Sequence, residues 1–341
     1  MRFAIIGLPQ CGRTTVWKTL SGGHIGHKEN IAVVKLPDER LFKIAEVVNA
    51  KKITQIELEF QDTIGDITRG GTIFSDIQGA DGLIIVLRGF DEGFGEPDIL
   101  NDAKSIRENL ILFDLSAIET RTSSITAEMK KSHSKDEAKI LEKNLEVLKK
   151  FGEVLNNGKL IAELALDDDE RKLARNQGLL TAKKMFAIVN TEDSCEIPNG
   201  DDLGSMFGEN VAVIPAKFLL ELADIQPDEA QAFMDELNIP KDIIDRTLRD
   251  IYERFGFIEF YTGNEKEARA WSIPQGTIAV DAAGKIHSDI GRGFIRAEIV
   301  SWDKFIEAGG YAQARAKAYF RVEGKEYVMQ DGDYVAFRFN V

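Results

Sequence analysis

The feature that most limits what this chain can fold into is the run Gly7-Leu8-Pro9-Gln10-Cys11-Gly12-Arg13-Thr14. It lies between a strand-like segment, Arg2 to Ile6, and a helix expected from about Arg13 to Leu20. The run matches the phosphate-loop pattern G-x-x-x-x-G-K-[ST] except that Arg13 stands where lysine is expected. Glycines let successive backbone N–H groups converge on a phosphate, and the N-terminus of the following helix adds a favourable dipole. Gly7, Gln10, Gly12, Arg13, Thr14 and Thr15 are therefore the expected phosphate-binding residues, with the Thr14 hydroxyl placed to ligate Mg²⁺. The bland alternative is a glycine turn that only joins strand to helix. A guanidinium is larger, planar and forked, so arginine in place of lysine predicts retained binding with impaired turnover. Cys11, inside the loop, reads as a small buried filler rather than a reactive thiol.

Up to about residue 90 the apolar runs RFAIIG, IAVVKL, ITQIELEF and LIIVL alternate with helical stretches, the mark of a mostly parallel sheet covered by helices. From about Ser116 charged residues dominate. Apolar ones fall at Leu115, Ile118, Ile125 and Met129, then at Ala138, Leu141, Leu145, Leu148 and Leu155. These spacings give one narrow stripe per helix and predict an antiparallel helical hairpin turning near Ser132 to Ser134, with two ordinary surface helices as the alternative. Sheet-like sequence resumes at MFAIV (Met185 to Val189) and VAVI (Val211 to Ile214), so the hairpin is an insertion. The predicted class is α/β: a doubly wound nucleotide-binding domain in two parts, residues 1–115 and 178–256, the second ending in linker helices. Residues 116–177 form the inserted hairpin, and 257–341 a compact α+β module with one or two helices. That module's expected strands are FIEFYTG, GTIAV, FIRAEIV, AYFRV and YVAFRFNV.

The net charge of −14 argues against DNA and against sequence-blind binding of any nucleic acid. From Phe257 onward, however, 11 Lys and Arg face 12 Asp and Glu, which leaves an RNA-facing module open. Arg292, Arg296, Arg315, Lys317 and Arg321 with Phe294, Tyr319 and Phe320 offer a basic, aromatic surface there, with core packing the plainer reading for each aromatic. No run of about 18 apolar residues occurs, and the N-terminus carries no signal-peptide pattern, so a cytoplasmic location without a membrane partner is expected. Cys11 and Cys195 are too few for a disulfide framework, and His24, His27, His133 and His287 do not complete a metal set.

Three C-terminal segments, EKEARAW (Glu265 to Trp271), AAGKIHSDIGRGFIRAEIV (Ala282 to Val300) and EGKEYVMQDGDYVAFRFNV (Glu323 to Val341), resemble the signature of the Obg-like ATPase (YchF) family. VVKLPDERL, EFQDTIG, LRGF, EPDI and LLTAKKMFAIVN resemble that family's G domain in the right order. The resemblance implies a P-loop G domain with an inserted coiled coil and a C-terminal ubiquitin-like β-grasp (TGS) domain. It also implies a nucleotide switch using Mg²⁺ with ATP or GTP and associating with the ribosome or ribosomal RNA. In that frame Asp62 supports Mg²⁺ through a water. The chain departs from the family at Arg13, in Ser21 to Asn30, which lacks the threonine that closes on the γ-phosphate, at Asp66 in place of a hydrophobic residue, and in a truncated glycine-rich switch. Each departure weakens γ-phosphate sensing, so slow or absent hydrolysis is expected. The rival reading is a non-catalytic adaptor that binds a ribosomal or RNA partner through hairpin and tail.

Asn190-Thr191-Glu192-Asp193 follows the MFAIV strand where GTPases carry N-K-x-D and the Obg-like family N-x-x-E. Asn190 and Asp193, with Ala216 and Lys217 of the next loop, are the expected base-binding residues. An aspartate suits guanine, whereas the absent lysine and the family resemblance favour adenine, which tips the expectation slightly to ATP. A turn in which Asn190 and Asp193 only satisfy backbone groups is the alternative.

Overall fold

The computed structural model describes residues 1–22, 30–63, 65, 67, 77–93, 95–130, 135–196, 203–207 and 211–340. In it the apolar run Arg2–Gly7 forms β1, buried on both faces as a central parallel strand must be. There follow α1 (Arg13–Leu20), β2 (Ile31–Lys35), α2 (Glu39–Val47), β3 (Ile53–Thr54), β4 (Glu57–Asp62) and β5 (Gly82–Gly89). Next come α3 (Ile99–Met129), α4 (Lys135–Asn156), α5 (Asp168–Asn176), β6 (Met185–Thr191), α6 (Leu203–Phe207), β7 (Val211–Ile214) and α7 (Ala216–Leu222). The first sheet runs β2-β4-β1-β5-β6-β7, with β1 parallel to both β4 and β5, and β6 parallel to both β5 and β7. The strand order reverses at β1, which puts the loop after Gly7 at the crevice where such sheets bind ligands.

The expected hairpin starts earlier than the composition shift at Ser116. Helix α3 is 31 residues long. Its first half buries Ala103, Ile106 and Leu110 in the sheet-side core, and its second half sets Ile118 and Ile125 with Leu148, Phe151 and Leu155 of α4. The change at Ser116 is a change of packing partner rather than the start of an element. The expected turn at Ser132 to Ser134 lies outside the described residues, as do His24, His27 and His133. At the changeover sits Asp114, fully buried, whose carboxylate accepts the Leu180 amide at 2.9 Å, the Thr181 amide at 2.7 Å and the Thr181 hydroxyl. Asp114→Ala orphans two buried amides and is expected to lower stability by about 3–5 kcal/mol in denaturant unfolding, with Asp114→Asn costing less.

The chain divides into two compact units, Met1–Val34 with Glu59–Ile244 and Lys35–Leu58 with Asp245–Val341. Beyond α7 lie α8 (Pro227–Glu236), α9 (Ile243–Arg254), β8 (Phe257–Gly263), β9 (Ala268–Pro274), α10 (Ala279–Ile286) and α11 (Ser288–Arg292). The chain then forms β10 (Phe294–Ser301), α12 (Trp302–Ala308), α13 (Tyr311–Ala316), β11 (Arg321–Glu323) and β12 (Asp333–Phe339). The second sheet runs β11-β10-β12-β8-β9-β3, with β12 parallel to β8 and β3 parallel to β9. Helix α10 presents Ala279, Ala282 and Ala283 to Phe260, Ile273, Ile299 and Val335, the small side chains allowing a close approach. The expected strand GTIAV is absent: Gly276 turns at φ +87°, Ile278 forms one isolated bridge to Val328, and the helix begins at Ala279. Four helices stand after β9 where one or two were expected. Among the described residues no helix is long and apolar enough to cross a membrane.

The units differ from the division read in the sequence, since Lys35–Leu58 and Asp245–Arg254 group with the C-terminal part. Strand β3 extends the second sheet through Ile53 beside Ala268 and Thr54 beside Arg269. Asp38 caps α2 at the Arg40 amide (3.0 Å) and accepts from the Arg40 Nε (3.0 Å) and the Tyr261 hydroxyl. Glu259, fully buried, accepts from the Arg249 guanidinium and lies 3.1 Å from the Tyr261 hydroxyl oxygen, with Arg40 at 3.3 Å. Burial and then the neighbouring Asp38 push the Glu259 carboxyl up to about 8, against the pull of both arginines. A raised carboxyl pKa stabilises while the proton is on, fully below the unfolded value of 4.5, and that contribution is lost as pH rises through about 8. Wild-type stability should therefore fall from about pH 4.5 to about pH 8 in thermal unfolding, and Glu259→Gln should flatten that fall.

Candidate functional site

The phosphate loop is built by close approach. Gly7 ends β1 beside Val86, and a Cβ there would lie 2.5 Å from the Cys11 Sγ and 2.6 Å from the Val86 carbonyl oxygen. Gln10 and Gly12 hold left-handed conformations, φ +66° and +79°, which turn the chain into α1 with Gly12 as its N-cap. Cys11 is buried, and burial pushes its thiol up to about 11, so the filler reading holds and a thiolate nucleophile does not. Helix α1 is pinned on two sides: the Trp17 indole N–H donates to the Phe60 carbonyl at 3.0 Å and the Thr19 hydroxyl to the Ala216 carbonyl at 2.8 Å.

Asn190, near the end of β6, is buried, lines the cavity beside it and uses its carboxamide to brace the protein. It donates to the Cys11 carbonyl at 3.1 Å and accepts the Ala216 amide at 3.2 Å. Two of the expected base-binding residues, Asn190 and Ala216, thus form a brace between the phosphate loop and the loop after β7. Beside the brace lies a cavity of about 540 Å³ bounded by Gln10, Gly12 and Thr15 on one side and by Asp193 and Lys217 on the other. Volumes of roughly 300–1,000 Å³ are usual for small-molecule sites. Phe90, Phe218 and Leu237 give it apolar walls that the sequence reading did not single out. Phe90 follows directly on β5 and closes the LRGF run. Lys217 is ion-paired with Glu92 at the rim, which raises its ammonium pKa, and Asp193 is exposed. Thr191, where a guanine motif carries lysine, is buried and donates to the Ser194 carbonyl.

Arg13 and Thr14 are absent from the cavity wall and meet at Asp62 instead. The Arg13 Nε donates to Asp62 Oδ1 at 3.1 Å, Arg13 also donates to the Gly65 carbonyl at 3.2 Å, and the Thr14 hydroxyl donates to Asp62 Oδ2 at 2.7 Å. The two oxygen donors expected to hold Mg²⁺ are therefore together, but both carboxylate oxygens are engaged, one by a fixed positive charge. That arrangement fits a divalent cation poorly. Among the described residues no group of three or more His, Cys, Asp or Glu is placed to hold a metal ion. Asp66 and the glycine-rich switch lie outside the described residues, as does most of Ser21 to Asn30.

In the C-terminal unit Phe294 is taken into the core against Phe337, while Tyr319 and Phe320 are half-buried. Arg292, Arg296 and Arg321 lie against Asp289, Glu298 and Asp333. Exposed His287 caps α11 through the Asp289 amide at 3.2 Å, a loop-holding role.

Comparison with known proteins gives a consistent picture. A family model, YchF-GTPase_C, described as a protein of unknown function (DUF933), matches residues 257–340. The ribosome-binding ATPase YchF of Bacillus subtilis is 34% identical over 365 residues, covering 99% of this chain and 98% of that protein. The Haemophilus ducreyi protein of the same name is 32% identical over 362 residues with the same coverage. The solved structure of the Schizosaccharomyces pombe YchF GTPase matches with a TM-score of 0.80 at 21% identity, covering 99% of this chain and 97% of that one.

The brace sets a testable limit on the loop. A Cβ on Gly12 would lie 2.1 Å from the Asn190 Nδ2 at a φ that disfavours side chains. Gly12→Ala should therefore cost about 2–3 kcal/mol in denaturant unfolding, where an unstrained Gly→Ala exchange would be neutral or stabilising.

Proposed function

The chain belongs to the YchF family, and on that premise we propose that it is a ribosome-associated, purine-nucleotide-binding switch that takes ATP over GTP and hydrolyses it slowly. The observation that carries this reading is the left-handed turn at Gln10 and Gly12 beside an aromatic-walled cavity at the end of β6, with Asn190 tying the two together. Backbone amides grip phosphate with little dependence on side chains, so loss of the lysine leaves the grip in place. Phe90 and Phe218 supply apolar surface for a purine ring.

The preference for ATP rests on the family and on Thr191 standing where a guanine motif carries lysine, and Asp193 does not oppose it. A desolvated carboxylate at that place would demand a partner and so select guanine, whereas an exposed one keeps its water and tolerates adenine. Slow hydrolysis is supported by the engagement of Arg13 with Asp62 and the Gly65 carbonyl, together with the altered switch residues of the sequence. Ribosome association is carried over from the two relatives named for it, and it supports a cytoplasmic location.

Titration calorimetry with ATP, GTP and non-hydrolysable analogues tests the reading. Micromolar affinity, about −8 kcal/mol, is expected for the triphosphates. Steady-state turnover should sit near the 10⁻⁴ to 10⁻³ s⁻¹, to order of magnitude, of an unassisted GTPase. Absence of affinity for any purine nucleotide would replace it with the adaptor reading, in which hairpin and C-terminal module bind a ribosomal or RNA partner without nucleotide. Asp193→Ala should weaken GTP by about tenfold and leave ATP unchanged, and an equal loss for both nucleotides would remove Asp193 from base reading.

A further inference from the structure

The engagement of Asp62 has a chemical consequence for the nucleotide site. In a magnesium-dependent phosphate loop the strand-end carboxylate and the loop hydroxyl hold a hydrated dication that neutralises the terminal phosphates, while the loop lysine touches the phosphates directly. Here the carboxylate has been claimed from within the chain. The Arg13 Nε lies 3.1 Å from Asp62 Oδ1, and the pair is largely shielded, with side chains 19% and 15% exposed. A second hydrogen bond, to the Gly65 carbonyl at 3.2 Å, fixes the plane of the guanidinium, and the Thr14 hydroxyl occupies the other carboxylate oxygen at 2.7 Å.

A guanidinium has five N–H donors in a planar fork, and among the described residues these two contacts leave others uncommitted. It can therefore hold Asp62 on one side and offer donors on another, a bridging role that an ammonium on a flexible stem performs poorly. A dication entering beside Asp62 would meet this fixed positive charge at the same carboxylate. We propose that Arg13 acts as a built-in counter-cation, standing at Asp62 in place of magnesium, so that the site binds the metal-free nucleoside triphosphate about as well as its magnesium complex. The proposal rests on the nucleotide-binding reading above and specifies the ionic form of the ligand that the site takes. It makes Arg13 and Asp62 one unit, so that the lysine-to-arginine change and the altered metal demand are a single event rather than two defects.

The test is titration of the full chain with ATP and with GTP, each in excess magnesium chloride and in excess EDTA. Wild-type dissociation constants are expected to agree within about threefold between the two conditions. Arg13→Lys should restore metal demand, with affinity in EDTA at least about tenfold weaker than in magnesium. A second readout needs no variant: by electron paramagnetic resonance of free Mn²⁺, the wild-type protein with bound nucleotide analogue should take up the ion with the same affinity as the analogue alone, within about threefold. Wild-type binding that collapses in EDTA, or Mn²⁺ held at least about tenfold more tightly by the wild-type complex than by the nucleotide alone, overturns the proposal and leaves the nucleotide-binding reading standing. No binding in either condition overturns both.

Discussion

The structure of the site depends on one buried carboxamide. Asn190, in β6, joins the Cys11 carbonyl to the Ala216 amide, and so ties the loops that follow β1 and β7 to that strand. A neutral amide suits this task because it supplies donor and acceptor in one planar group, and both ends are satisfied without burying charge. The tolerance is narrow. There is no room for a side chain at Gly12, and the Thr19 hydroxyl fastens α1 to the same Ala216 from its carbonyl side. The phosphate loop is thus held by polar contacts from both of its flanks, independently of whether the residue after Gly12 is lysine or arginine.

That independence explains how Arg13 is accommodated. An arginine in this loop brings an always-positive group into a partly shielded corner, and such a charge is tolerated only with partners. Asp62 and the Gly65 carbonyl provide them. The ion pair thereby shifts the strand-end carboxylate from awaiting a cation to already having one. Phosphate recognition by main-chain amides and charge compensation by a metal are usually joined in one loop, and in this chain the geometry separates them.

Much of this was legible in the sequence. The strand-loop-helix run around Gly7 to Thr14 named its own fold, because glycine spacing and the flanking apolar period leave few alternatives, and α1 spans Arg13–Leu20 as expected. The seven-residue stripe at Ile118, Ile125, Leu148 and Leu155 likewise gave the helical pairing, since periodicity reports which face is buried. It did not give where α3 begins, because the same face continues from Ile99 with the sheet as its partner. The brace between Asn190 and Ala216 was not legible for a similar reason: a motif says which residues gather, not which hydrogen bonds they make with the backbone. Phe218 and Leu237 were invisible because nothing in their local sequence distinguishes a cavity wall from ordinary core. In the C-terminal module GTIAV has strand-like composition, and tertiary packing of Ala279, Ala282 and Ala283 against Phe260 overrides it.

The least legible element is the segment Lys35–Leu58, whose sequence neighbours lie in the nucleotide sheet while its own packing lies in the C-terminal unit. Apolar burial alone does not specify such an allegiance, since Leu41, Ile44 and Ala45 of α2 would suit many surfaces. The charged cluster does. Asp38 must meet Arg40 and Tyr261 while capping its own helix, and Glu259 must meet Arg249, Arg40 and Tyr261 in full burial. Replacing such a cluster by apolar residues is often neutral for stability, but breaking it is costly because an unpaired charge remains buried. A slipped or rotated α2 would incur that cost at Asp38 and would take Arg40 away from the buried Glu259. The cluster therefore acts mainly on specificity: it makes one seating of Lys35–Leu58 acceptable and the near alternatives expensive, which an alternating apolar pattern cannot achieve.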